Sequence, residues 1–233
     1  MSVFKTFLLA GAAAFVSSAA LAGGHIPLNA SAVVGFKGVA VHQQLAPPAG
    51  TPKCGTGFGS ELSTPDGLIA WNDTSGTGYD EGSGTDFTCS VTTKIKKVWA
   101  YGYNAPKNPE LYNVTFYKNS GADGTDEPND NKVKCAYTAL SGAGGGSYPT
   151  HVLTKLTLPT ACKLKPGHYW VSVQNNDSSG PWYHEMQSNL QGTQADWVDR
   201  NNIFGSGCTT FNNDEYLQNC LGYTYPDYML ELH

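Results

Sequence analysis

A Pro-Gly pair placed directly before an alternating run constrains this chain most: Leu164-Lys165-Pro166-Gly167-His168-Tyr169-Trp170-Val171-Ser172-Val173. Pro presets φ and Gly accepts φ > 0, so the pair marks a tight turn. Beyond it, Tyr169, Val171 and Val173 share one face of the predicted strand, while Trp170, Ser172 and Gln174 share the other. A strand that is bulky on one face and mixed on the other belongs in the middle of a sandwich. Charged residues are only 14% of the chain, and Gly, Asn, Ser and Thr are plentiful. That balance suits strands joined by many turns and disfavours helices.

Alternation of the same kind recurs along the chain. Ala32 to His42 is weakly β-like and rich in Val. From Asp86 onward Phe87, Cys89 and Val91 alternate with polar neighbours. A second run from Lys96 to Tyr103 puts Trp99, Tyr101 and Tyr103 on one face. Tyr112 to Lys118 is the clearest strand, followed by Val133 to Tyr137, Val152 to Leu158 and finally Tyr228 to Leu232. Loops are expected between them. Thr51 to Thr85 is polar and Gly-rich, with one apolar piece at Leu68-Ile69-Ala70-Trp71. An acidic loop runs from Asn119 to Asn131, a Gly-rich one covers 142 to 146, and a polar stretch extends from Tyr183 through Asn202. Asn213 is placed to cap one helical turn over Asp214 to Gln218. About eight to ten short strands at this spacing predict an all-β, jelly-roll-like sandwich with long loops.

The first residues read as a secretory signal over 1–22. Lys5 gives the charged region, Phe7 to Val16 the apolar region, and Ala20-Leu21-Ala22 the small-residue cleavage site. No linker composition or internal repeat divides the remainder, so 23–233 is expected to be a single secreted domain, extracellular or periplasmic. No second stretch is long and apolar enough to span a bilayer. Cys54, Cys89, Cys135, Cys162, Cys208 and Cys220 make an even set, which in an exported chain reads as three disulfides. Fifteen pairings are open to six cysteines, and the sequential pairing is the expected one. The net charge of −5 and the scattered lysines argue against a nucleic-acid partner.

Several of these segments are similar to exported bacterial β-sandwich proteins that mostly lack an assigned activity. The resemblance rests on Asp86-Phe87 opening a strand, Val114-Thr115-Phe116-Tyr117-Lys118-Asn119-Ser120-Gly121 and the Leu164 to Val173 run. Gly180-Pro181-Trp182, Ala195-Asp196-Trp197 and Phe204-Gly205-Ser206-Gly207-Cys208 add to it. It covers roughly residues 85 to 233 and implies a fold and an extracellular setting, without a reaction or a catalytic residue.

Candidate chemistry is sparse. Gly82-Ser83-Gly84 and Gly205-Ser206-Gly207 lack the spacing of a nucleophile elbow, and His151, His168 and His184 sit like ordinary strand or loop residues. Asp123, Asp126 and Asp130 offer oxygen ligands for Ca²⁺, but the loop lacks the far bidentate Glu of an EF-hand and reads first as a solvated acidic turn. No other cofactor is expected. Cleavage at Gly23 or His25 would leave an amino terminus near an imidazole, a copper chelate that lacks a recognisable second His. Aromatics are the residual signal. Trp182, Tyr183, Trp197, Tyr223 and Tyr225 lie among Asn and Asp residues such as Asn176 and Asp177, and flat rings beside amides and carboxylates suit sugars. The competing reading is that these rings fill the core. The expectation is therefore a secreted, non-enzymatic binder of carbohydrate or another surface ligand. The alternatives are a polysaccharide-active enzyme, hydrolytic or copper-dependent, and a structural or adhesive envelope component.

Overall fold

The structure is a computed structural model. It describes residues 41–42, 50–58, 67–104, 111–119, 127–143, 150–178, 180–187, 195–211, 220–222 and 227–233. Among the described residues there are twelve strands: β1 (Val41–His42), β2 (Gly67–Ile69), β3 (Glu81–Cys89), β4 (Thr93–Asn104), β5 (Leu111–Asn119), β6 (Pro128–Ala143), β7 (Thr150–Leu164), β8 (Gly167–Asn175), β9 (Trp182–Gln187), β10 (Asp196–Asp199), β11 (Asp227–Tyr228) and β12 (Leu230–Leu232). They pair in the order β10-β3-β8-β5-β6-β7-β4-β9-β11, with β1 on β7, β12 on β4 and β2 on β9. Every pairing is antiparallel except β1 with β7. The all-β sandwich is thus present.

The path curls into two layers because β6 is long enough to serve both. It pairs β5 along most of its length and passes to β7 at Gly142 and Ala143. Cys135–Cys162 ties the two layers where they diverge. At the opposite margin Asn175 N donates to Ala70 O, and Ala70 N donates to Trp182 O, so residues 70–72 stitch β8 to β9. Between the layers Val98, Val114, Phe116, Leu156 and Val173 have no exposed surface, and Tyr112 meets Trp182 edge-on at 5.6 Å. Close approach there requires glycine. A Cβ on Gly102 would stand 2.5 Å from the Tyr183 carbonyl oxygen, and one on Gly142 would stand 2.5 Å from the Tyr112 ring. The other two disulfides are Cys54–Cys89 and Cys208–Cys220, so the sequential pairing holds throughout.

The sequence expectations fail mainly where alternation is hidden. β3 begins at Glu81, five residues before the expected Asp86, inside a stretch expected to be loop. Its Gly82 and Gly84 leave room for Val198, Phe211 and Trp170, which cover the outer face of the sheet. Trp170, Tyr117, Val198 and Phe211 form a second apolar layer there, closed by a bidentate Arg200–Asp130 pair at 2.9 Å. β10 lies in the polar stretch after Tyr183, its Trp197 and Val198 masked in the sequence by flanking aspartates. The expected helical turn at 214–218 and most of the Ala32–His42 strand lie outside the described residues.

Candidate functional site

The two layers end in different chemistry. At the end where β8 starts, lysines and turns dominate; at the end where β8 finishes, aromatics and amides gather. Trp71 reaches β8 through a bridge to Asn175, and its indole Nε1 donates to the Asp177 carbonyl at 2.8 Å. Tyr79 stacks on Trp71 at 4.8 Å, and Phe204 tilts against Tyr79 at 5.9 Å. Asn72 Nδ2 donates to Asn176 Oδ1 at 2.9 Å, placing a paired amide at the row's margin. Tyr79, Tyr183 and Phe204 are half-buried against the cluster of Leu68, Ile69, Met186 and Trp197.

Local hydrogen bonding presents this row. The Asp73 carboxylate accepts from Ser75 N, Ser75 Oγ, Thr77 N and Thr77 Oγ1, which folds residues 73–79 into a compact loop. Burial alone would raise its pKa, but these four donors prevail and hold it at about 2. On the other side the Asp199 carboxylate orders the chain by accepting from Ile203 N at 2.8 Å and Phe204 N at 2.9 Å. Phe204 is therefore held by the backbone as well as by ring contacts.

Beneath the row lies a buried polar layer. Glu81 is opposite Asp199 in register and has no exposed surface. Burial first, then the negative charge of Asp199, pushes its carboxyl up to about 9, so it stays protonated at neutral pH. Ser83, two residues on, reaches His184 Nδ1 at 2.8 Å. His184 Nε2 lies 3.2 Å from the Met229 carbonyl, which can only accept, so the ring proton sits on Nε2 and Nδ1 is an acceptor that shares the single Ser83 hydroxyl proton with the Val173 carbonyl at 3.1 Å. The imidazole is sandwiched between Trp182 at 4.9 Å and Tyr228 at 4.7 Å, and burial lowers its pKa to about 3. A serine on a neutral imidazole is the first half of a nucleophile–base pair. Each residue is 1% exposed, however, so neither the hydroxyl nor the imidazole faces solvent. Ser83 lies in a strand, contrary to the loop expected for it.

The expected ligand residues divide. Trp182 is 2% exposed and Trp197 fully buried, with its Nε1 donating to the Ile69 carbonyl at 2.9 Å. These two indoles belong to separate core clusters and form no exposed platform. By contrast, Tyr183 packs against the cluster beneath Tyr79, Asn176 accepts from Asn72, and the Asp177 carbonyl accepts from Trp71, which places all three at the aromatic end. Sequence reading missed Trp71, Tyr79 and Phe204, whose one available signal was an apolar island at Leu68–Trp71 inside a Gly-rich stretch. Of the Ca²⁺ candidates, Asp130 gives both oxygens to Arg200 and also accepts from Phe211 N, while Asp123 and Asp126 lie outside the described residues. Tyr223, Tyr225 and His25 lie outside them too. Among the described residues no group of three or more His, Cys, Asp or Glu is placed to hold a metal ion. His168 Nε2 donates to the Asp86 carboxylate at 2.6 Å on the outer face, and Ser206 accepts from Cys208 N within its own loop.

No family model, curated protein or solved structure matches this chain. Its chemistry has to be read from its own geometry. Three disulfides mark an oxidising compartment, extracellular or periplasmic. Among the described residues no helix is long and apolar enough to cross a membrane.

Proposed function

We propose that the chain is a secreted, non-enzymatic binding protein whose ligand is a carbohydrate, held at the aromatic end of the sandwich. The observation that carries this reading is the row Trp71–Tyr79–Phe204, in which Tyr79 and Phe204 are half-buried over a buried Trp71, edged by Asn72, Asn176, Asp177 and Tyr183. Sugar rings stack their C–H faces on flat aromatics and satisfy their hydroxyls with amides and carboxylates, and this end supplies both. The row is fixed in place by the Asp73 and Asp199 carboxylates, so little side-chain order has to be gained on binding. The resemblance to exported bacterial β-sandwich proteins supports the same setting.

The test is a glycan array probed with the intact protein, followed by the variants Tyr79→Ala and Phe204→Ala. By analogy with aromatic pairs, each ring contact is worth about 0.5–1.5 kcal/mol beyond its area, so each variant weakens binding several-fold. An array without hits, or hits that both variants retain at full affinity, contradicts the proposal.

A further inference from the structure

β4 and β7 pair over most of their length, and neither strand contains an Asp or Glu. Between them they carry Lys94, Lys96, Lys97, Lys155 and Lys163. Ile95 and Val98 point inward with no exposed surface, which turns the neighbouring lysines outward. The bulge between Ile95 and Lys97 lets two successive lysines, Lys96 and Lys97, both emerge. Lys94 stands directly opposite Lys163. Lys53 joins the group by donating Nζ to the Lys94 carbonyl at 2.6 Å, and Lys165 follows β7 at the turn. Lys155 Nζ lies 5.9 Å from the Trp99 ring centroid, and that indole is half-buried on the same face. The ion pairs among the described residues are His168–Asp86, Arg200–Asp130 and His233–Glu231, and none uses a lysine. The acid that β12 sets beside Trp99, Glu231, is taken up by Phe58 N and His233.

We infer that this face docks a linear acidic polysaccharide, with the lysines pairing to carboxylates or sulfates along it and Trp99 flanking the path. Like charges directly opposite in a sheet oppose folding, and a polyanion laid across them removes that cost. The row from Lys94 to Trp99 runs along the strand for about 17 Å, an extended track suited to a stiff polymer chain. An anionic membrane would call for apolar anchors, and among the described residues Val91 is the one large exposed apolar residue beside these lysines. The oxidising compartment disfavours nucleic acid. This site is separate from the aromatic row and does not depend on it.

Immobilised alginate, a polyuronate, tests the inference when binding is read at about 50 and about 200 mM NaCl. The wild-type protein is expected to bind, with affinity falling as salt rises. K94E/K163E weakens binding at least about ten-fold and flattens the salt dependence. K132E/K134E, the same change of charge on β6, leaves it within about two-fold of wild type. If K94E/K163E does not fold, K94Q/K163Q decides, with a smaller loss in the same direction. Failure of wild type to bind alginate, or equal losses in both double variants, overturns the inference. Tighter binding to phosphatidylglycerol vesicles or duplex DNA than to alginate overturns it too.

Discussion

At the residue scale, Glu81 and His184 make the fold sensitive to pH from both sides. A carboxyl raised from 4.5 to about 9 keeps its proton in the native state after the unfolded chain has lost it. Stability therefore falls as pH rises from 4.5 toward 9, by up to about 1.4 kcal/mol per pH unit. Glu81→Gln is expected to remove most of that slope and to raise the urea midpoint at pH 8, with the gain vanishing near pH 4. Equal midpoint shifts at both pH values would show Glu81 to be ionised in the fold. His184 acts in the opposite direction. Its folded pKa of about 3 lies below the ordinary 6.5, so the unfolded chain takes up a proton first and stability is lost as pH falls from 6.5 toward 3. His184→Phe should flatten that acid limb in urea titrations, and it leaves Ser83 donating to the Val173 carbonyl and the Met229 carbonyl accepting from Tyr101 N. Neither behaviour was legible in the sequence, where His184 and Glu81 look like ordinary polar residues. Their pKa values arise from burial completed by residues distant in the chain, Tyr228 over the His184 ring and Asp199 opposite Glu81.

At the element scale, strands with period-2 alternation were legible and strands without it were not. β5 and β8 follow the predicted alternation because Val114, Phe116, Val171 and Val173 pack inward, while Tyr117 and Trp170 on their outer faces are covered by a second apolar layer. β3 and β10 break it because their outer faces are also covered. Gly82 and Gly84 therefore replace polar residues, and Trp197 and Val198 sit side by side. Trp182 on β9 and Trp197 on β10 are both buried, each in its own core cluster. Their polar sequence neighbours described a loop environment that the folded chain does not give them. The pairing of β4 with β9 depends on glycine. Gly102→Ala puts a methyl 2.5 Å from the Tyr183 backbone oxygen, and backbone cannot swing aside. A loss of about 1–3 kcal/mol or more is expected by chemical denaturation. A loss below about 0.5 kcal/mol would mean that β4 and β9 are not in close register at this point.

At the scale of the whole molecule, the sandwich is polarised along its strands. β8 runs from the lysine end at Gly167 to the aromatic end at Asn175, a distance of about 26 Å. The lysines are scattered in sequence and gather only when β4 pairs with β7, which is why the chain reads as lacking a basic face before it folds. The aromatic row is assembled in the same way, from residues 71–79, 176–183 and 204. The central claim is that this row is where a sugar is recognised. Amide shift mapping in a titration with neutral oligosaccharides tests it most directly. The account predicts saturable ¹H–¹⁵N shifts confined to residues 71–79, 176–183 and 203–206, with β4 and β7 silent. Shifts centred on the β4–β7 face, or none at any sugar concentration, would contradict it.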